Sequence, residues 1–181
     1  FLVHGSSFSG TTGFYLQVPG RDDYSLMDRF AEAGVDVWAL DHEGYGRSSR
    51  TDGNSNIASG VADLKAGFDL VTRETRATTA LFYGSSSGAL RAAAFAEACP
   101  EAVTRLVLDA FVWTGKDAPT LIKRAENLEY FHTHNTRPVD RAFFESIFTR
   151  DKPGTSEQIA AETLAKTELQ YGDTVPTGTY L

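Results

Sequence analysis

The residues best suited to chemistry lie in Leu81-Phe82-Tyr83-Gly84-Ser85-Ser86-Ser87-Gly88-Ala89-Leu90. They contain a G-x-S-x-G, with Ser86 at its centre and Gly84 and Gly88 beside it. A serine at this spacing sits on a strained turn between a strand and a helix, so its hydroxyl stands clear of the backbone and can attack a carbonyl carbon. The positions beside it must be small because the turn crowds its neighbours. The N–H of Ser87 falls at the start of the following helix, where it can donate to the oxyanion that such an attack creates. The bland alternative is a plain serine-glycine turn, so the neighbouring elements decide.

Those elements suit the motif. Residues 79–83 are short and apolar with two aromatics, as in a buried strand, and residues 89–98 are rich in helix formers and stop before Pro100. Upstream, Phe1 to Val3 reads as a core strand that ends in a loop of small residues, His4-Gly5-Ser6-Ser7-Phe8-Ser9-Gly10. Residues 24–33 read as a helix with Gly34 just past its end, and residues 35–40 as an alternating strand. Next comes Asp41-His42-Glu43-Gly44-Tyr45-Gly46-Arg47-Ser48. Asp41 and His42 are neighbours that point to opposite faces, so they are read as a turn cap and a loop histidine rather than a catalytic pair. His4 is likewise read as structural. The spacing of Ile57, Val61, Leu64, Phe68 and Val71 predicts an amphipathic helix, with Asp63 and Asp69 solvated off its stripe. Leu106-Val107-Leu108 marks a further strand. Strands alternating with helices indicate an α/β fold, a mostly parallel sheet flanked by helices.

The character changes after Trp113. Residues 116–169 show no strand signal; helices are expected over 121–130, over 139–148 and after Thr155, which with Gln158 spells a capping box. This predicts a core over 1–113, an all-helical lid over 114–175 and a return toward the core over 176–181, with 172–178 a turn-rich exit. Tyr130, Phe131, Phe143, Phe144 and Phe148 give the lid an aromatic load. Trp113, Phe131 and Phe144, with Ser7, are candidate substrate contacts. His132 and His134 lack an evident third ligand, so no metal site is expected.

Composition narrows the partners. A net charge of −7 without a basic run argues against nucleic acid and anionic membranes, and no apolar stretch approaches a membrane span. Cys99 is the single cysteine, read as a small buried hydrophobe, and it leaves the compartment open with the cytoplasm favoured. A homodimer is left open.

Three motifs in order, His4-Gly5-Ser6, Asp41-x-x-Gly44-x-Gly46-x-Ser48 and Gly84-x-Ser86-x-Gly88, resemble the α/β-hydrolase fold family, in its lid-bearing serine esterase, lipase and aminopeptidase branch. The resemblance implies that Ser86 is the nucleophile and that the N–H of Ser6, with Ser7 as the fallback, joins that of Ser87 in an oxyanion hole. It implies ester hydrolysis through an acyl-enzyme on a small-molecule substrate, with no cofactor. A proline-iminopeptidase-like amidase, a carbon–carbon bond hydrolase, a cofactor-free peroxidase and a non-catalytic binding protein are the alternatives. In that family the acid and then the histidine follow the nucleophile. Here no histidine follows His134 and no core strand follows the lid, so the resemblance implies an internal piece of a longer enzyme. Asp109 is a candidate acid.

Overall fold

The computed structural model describes residues 1–110, 119–149, 152 and 154–181, and in it the apolar runs form a parallel sheet. Its strands are β1 (Leu2–Val3), β2 (Ala39–Leu40), β3 (Ala80–Ser85) and β4 (Val103–Asp109), ordered β2-β1-β3-β4. Val3 pairs with Leu40 on one side and Gly84 on the other. This register matters, because it releases the loop after β1 beside the residue that follows β3. The strand expected over 35–40 is shorter than its alternation suggested. β1 offers only Leu2 and Val3 as partners, so the pairing starts at the Trp38 carbonyl, which accepts the Leu2 N–H at 2.7 Å, and Val35 is left exposed.

The helices of this half are α1 (Gly10–Phe14), α2 (Leu26–Glu32), α3 (Ile57–Thr75) and α4 (Ser87–Ala98). Their starts are capped locally. Ser9, Ser25 and Asn56 each accept a backbone N–H three residues on, which satisfies a donor the helix cannot. Leu64, Phe68 and Val71 of α3 meet Ala92 and Phe95 of α4 over Val3 and Phe82 in one core. The Phe82 ring lies 4.8 Å from that of Phe95 and 5.7 Å from that of Phe68. Full burial of such a side chain contributes roughly 1.5–3 kcal/mol. On the other face of the sheet, Phe14 of α1 meets Tyr83 edge to face at 6.1 Å.

Beyond the sheet lie α5 (Pro119–Ala125), α6 (Leu128–Thr133), β5 (Thr136–Pro138), α7 (Arg141–Thr149), α8 (Gln158–Tyr171) and β6 (Thr174–Pro176). The expectation of no strand over 116–169 fails at β5, which pairs antiparallel with β6, Arg137 opposite Val175, and β6 takes up three residues of the exit over 172–178. Three-residue strands, each ending in proline, carry no readable period. The helix expected over 121–130 breaks between Ala125 and Leu128, where the Asn127 N–H donates to Arg124 O in a tighter turn. The capping box does not form. Glu157 precedes α8, and the Thr155 hydroxyl donates to Lys152 O at 2.7 Å instead. The boundary drawn at 113 falls outside the described residues.

A second core ties these elements to the first half: Phe144, Ala160, Leu164 and Ala165 pack on Leu16, Val18, Tyr45, Val139 and Val175. Glu168 of α8 adds a polar clamp. Its Oε1 accepts the Ser9 N–H and hydroxyl, both at 2.7 Å, and the Thr12 hydroxyl, while burial holds its carboxyl above the usual range. Polar groups also pin the two loops nearest the sheet. His4 Nε2 accepts the His42 N–H at 2.9 Å, so its Nδ1 carries the hydrogen and donates to Gly5 O at 2.7 Å. His42 Nδ1 donates to Asp63 at 3.2 Å, and the Glu43 N–H reaches the same carboxylate oxygen at 3.0 Å. Asp63 is therefore not merely solvated, as its place off the stripe suggested; the loop after β2 lies across it. Burial, with the nearby Arg91 guanidinium, holds both imidazoles well below their ordinary range; for His4 the neighbouring His42 adds to this. Arg91, itself buried, donates to Ser55 O at 2.6 Å and Ser55 Oγ at 2.9 Å.

Two outcomes follow from this packing. A Cβ added at Gly88 would strike the carbonyl oxygens of Val3 and His4, which are backbone, whereas at Gly13 it meets open space. In urea denaturation Gly88→Ala should cost about 2 kcal/mol or more, and Gly13→Ala should add up to about 1 kcal/mol. The second concerns pH. The folded state keeps His4 and His42 neutral below the value near 6.5 at which they protonate once unfolded. The unfolded state thus binds more protons in that window, and this contribution to stability is full above pH 6.5 and declines as the pH falls below it. Glu168 works with the opposite sign, because its raised carboxyl favours the folded state on acidification. In a Glu168→Gln background the denaturation midpoint should therefore fall between pH 7.5 and 5.5. Adding His42→Gln should make that fall smaller.

Candidate active site

Ser86 joins β3 to α4 with φ 55° and ψ −126°, a conformation that side chains other than glycine rarely adopt. Its N–H donates to Asp109 O at 2.9 Å and its carbonyl accepts the Ala89 N–H at 3.0 Å, so the turn is held from β4 and from the helix. Three glycines allow the crowding. Gly84 lies against the Gly88 carbonyl, Gly88 against the end of β1, and Gly5 against Ser86 itself. A Cβ on Gly5 would stand 2.8 Å from Ser86 Cβ and 3.3 Å from Oγ. The strained serine is thus set between its own helix and the loop that leaves β1.

The hydroxyl opens into a pocket of about 310 Å³, lined by Ser6, Ser86, Ser87, Leu90, Arg124, Asn127, Phe131, Arg137, Thr179 and Tyr180. Ser86, Ser87 and Ser6 are brought together here, as expected from the motifs. As the first residue of α4, Ser87 has an N–H with no intrahelical acceptor. Ser7 is not in the lining. It is buried at φ 84°, and its Oγ accepts Arg137 Nη2 at 3.2 Å. Phe131 lines the pocket and stacks on Tyr180, ring centroids 4.8 Å apart. Phe144 does not reach it: the side chain is 1% exposed inside the second core, because α7 turns that face toward α8. Trp113 lies outside the described residues, as does the side chain of Phe148.

Sequence reasoning missed Arg124, Arg137, Thr179 and Tyr180. Arginines on short helices and strands read as solvated, and only the β5–β6 pairing carries Arg137 and the last residues to the pocket. There Arg137 Nη2 donates to the Tyr180 hydroxyl at 2.9 Å, and that hydroxyl donates to Ser6 Oγ at 3.2 Å. The guanidinium lies 4.6 Å from the centre of the Phe143 ring and 5.0 Å from that of Tyr180. Arg124 Nη2 donates to Thr179 O at 2.7 Å.

No histidine lines this pocket. His4 and His42 are committed to the buried network, while His132 and His134 are exposed, the latter stacked on Tyr130 at 4.2 Å. Asp109 lies next to the turn, where its carboxylate accepts the Tyr83 hydroxyl at 2.6 Å. Partial burial and that carboxylate push the Tyr83 phenol up to about 12. Among the described residues no group of three histidines, cysteines or carboxylates could hold a metal ion, and no helix is long and apolar enough to cross a membrane.

Known structures share this arrangement of strands and helices. A thioesterase domain from the curacin biosynthetic pathway is 24% identical, aligned over 92% of this chain and 57% of its own, with a TM-score of 0.58. An extracellular α/β-hydrolase from a Paenibacillus species is 14% identical over 99% of this chain and 66% of its own, with a TM-score of 0.62. A monoacylglycerol lipase from Paleococcus ferrophilus is 14% identical over 94% of this chain and 65% of its own, with a TM-score of 0.54. At these identities the likeness is one of fold, and the chain spans less than two thirds of each. A comparison with functionally curated proteins found no match. The sequence pattern of the family described as serine aminopeptidase, S33, matches residues 20–165, most of the chain. Both by that match and by its parallel sheet flanked by helices, the chain belongs to the serine aminopeptidase S33 family of α/β-hydrolases.

Proposed function

We propose that this chain carries the nucleophile and oxyanion hole of a serine hydrolase that cleaves carboxylic esters. The observation that carries the reading is the strained Ser86, whose hydroxyl shares a pocket with Ser87 and Ser6. Ser86 Oγ attacks the ester carbonyl and gives up its proton to a base. The tetrahedral oxyanion rests on the N–H groups of Ser87 and Ser6. Its collapse expels the alcohol and leaves an acyl-serine, which water then hydrolyses to the acid and free Ser86. A serine hydroxyl needs a base within about 3 Å, and none of the four histidines of this chain is hydrogen-bonded to it.

The segment over 114–175 acts as a lid in this reading. Arg124, Asn127 and Phe131, from α5, α6 and the turn between them, stand over the elbow, and the volume of the pocket suits a small or medium acyl group. A thioesterase and a lipase among the similar structures favour ester chemistry. The family's name favours a second reading, removal of an amino-terminal residue from a peptide. Against it stands the pocket itself, where two arginines would repel a substrate ammonium.

A fluorophosphonate should label Ser86 and no other residue, read by mass spectrometry of the adduct; labelling elsewhere overturns the assignment. Ser86→Ala should lower turnover of p-nitrophenyl esters by about four orders of magnitude. For the second oxyanion donor, Ser6→Ala should keep most activity, whereas Ser6→Pro, which has no N–H, should lose roughly two to three orders of magnitude. Equal impairment of the two variants would point to the hydroxyl or to the fold instead.

A further inference from the structure

The chain is acidic, yet among the described residues the pocket beside Ser86 is lined by two arginines and no carboxylate. Among the described residues neither Arg124 nor Arg137 pairs with an acid; their hydrogen bonds go to the Thr179 carbonyl and to the hydroxyls of Ser7 and Tyr180. Arg137 Nε is buried with no partner. A guanidinium set beside Phe131 and Tyr180, with no counter-charge among the described residues, is costly, and a ligand anion offsets that cost. The group is also rigid. Stacking on Phe143 and Tyr180 and two hydrogen bonds hold Arg137, so little ordering remains when a ligand arrives. Both Nη2 hydrogens are engaged in this way, so Nη1 is the nitrogen that can donate to a carboxylate oxygen. Through Tyr180 the guanidinium is joined to Ser6, which ties the cation to the proposed oxyanion donor.

We infer that the pocket selects ester substrates that carry a free carboxylate, bound by Arg137 and Arg124 while the ester carbonyl lies at Ser86. This deepens the proposed hydrolase reading and rests on it for the chemistry. The anion site itself rests only on the two arginines, so binding and turnover are measured separately.

Calorimetry with glutarate and with valeramide, a neutral analogue of similar length, tests the anion site. Glutarate should bind at least tenfold more tightly, and Arg124→Gln or Arg137→Gln should remove the difference. Arg137→Lys keeps a cation under the stack and should retain part of it, which separates lost charge from lost folding; thermal melts check the fold of each variant. Mono-p-nitrophenyl glutarate and p-nitrophenyl valerate test selection in turnover, with an expected kcat/KM ratio above ten that falls toward one in either glutamine variant. Equal binding of glutarate and valeramide, or a preference for glutarate that survives both glutamine variants, overturns the inference even if Ser86 is labelled. Tight arginine-dependent glutarate binding without Ser86 labelling supports the anion site and overturns the hydrolase reading alone.

Discussion

The close approach of the end of β1 to the turn at Ser86 is the contact on which the remainder of the site depends. Gly88 packs on the carbonyls of Val3 and His4, and Gly5 packs on Ser86, so the loop carrying Ser6 and the helix carrying Ser87 share one position in space. The two-residue β1 fixes this through its register with Gly84. A side chain at either glycine would meet backbone or Ser86 within 3 Å and push the loop and the helix apart. The positive φ of Ser86 is kept in place by the same contacts, together with its hydrogen bond to Asp109 O. Backbone strain persists where the surroundings over-determine it, and here they do so from both adjoining strands.

Behind that contact, charge is managed by burial and not by ion pairing. His4 and His42 are neutral members of a hydrogen-bonded chain that ends on Asp63, and the Arg91 cation beside them favours their neutral forms. The histidines that flank the site by sequence thus brace the loops behind it and do not line it. In the pocket the arrangement is reversed, with cations at the surface of an apolar cavity and no acid beside them among the described residues. The loop after β1 takes part in both, through His4 in the buried network and Ser6 in the pocket lining.

What could be read from the sequence was local. The glycine-serine turn announces itself because its crowding leaves only small residues, and the helix at Ile57–Thr75 because Leu64, Phe68 and Val71 repeat at the helical period. Ser6 and Ser87 follow from where such turns place their N–H groups. What escaped depends on partners far along the chain. Asp63 looks solvated until the loop from residue 42 crosses it. Phe144 looks like a pocket aromatic until α8 covers it, and Arg137 looks like a surface cation until β6 turns it inward. Thr155 shows the reverse error: its spacing to Gln158 fits a cap, but the preceding turn offered its hydroxyl a nearer acceptor.

The hydrogen bond between Tyr180 and Ser6 joins residues 174 positions apart. Contacts of such long range are slow to form, since the ends of a long loop must meet before anything rewards their meeting. A chain emerging from the ribosome has its elbow strand and helix complete roughly eighty residues before Tyr180 appears, and chains grow at about 5–20 residues per second. For several seconds the nascent protein therefore holds the turn with only part of its pocket. The cavity at Ser86 is in this way completed only after the turn itself, because Arg124, Arg137, Thr179 and Tyr180 all follow it in the chain.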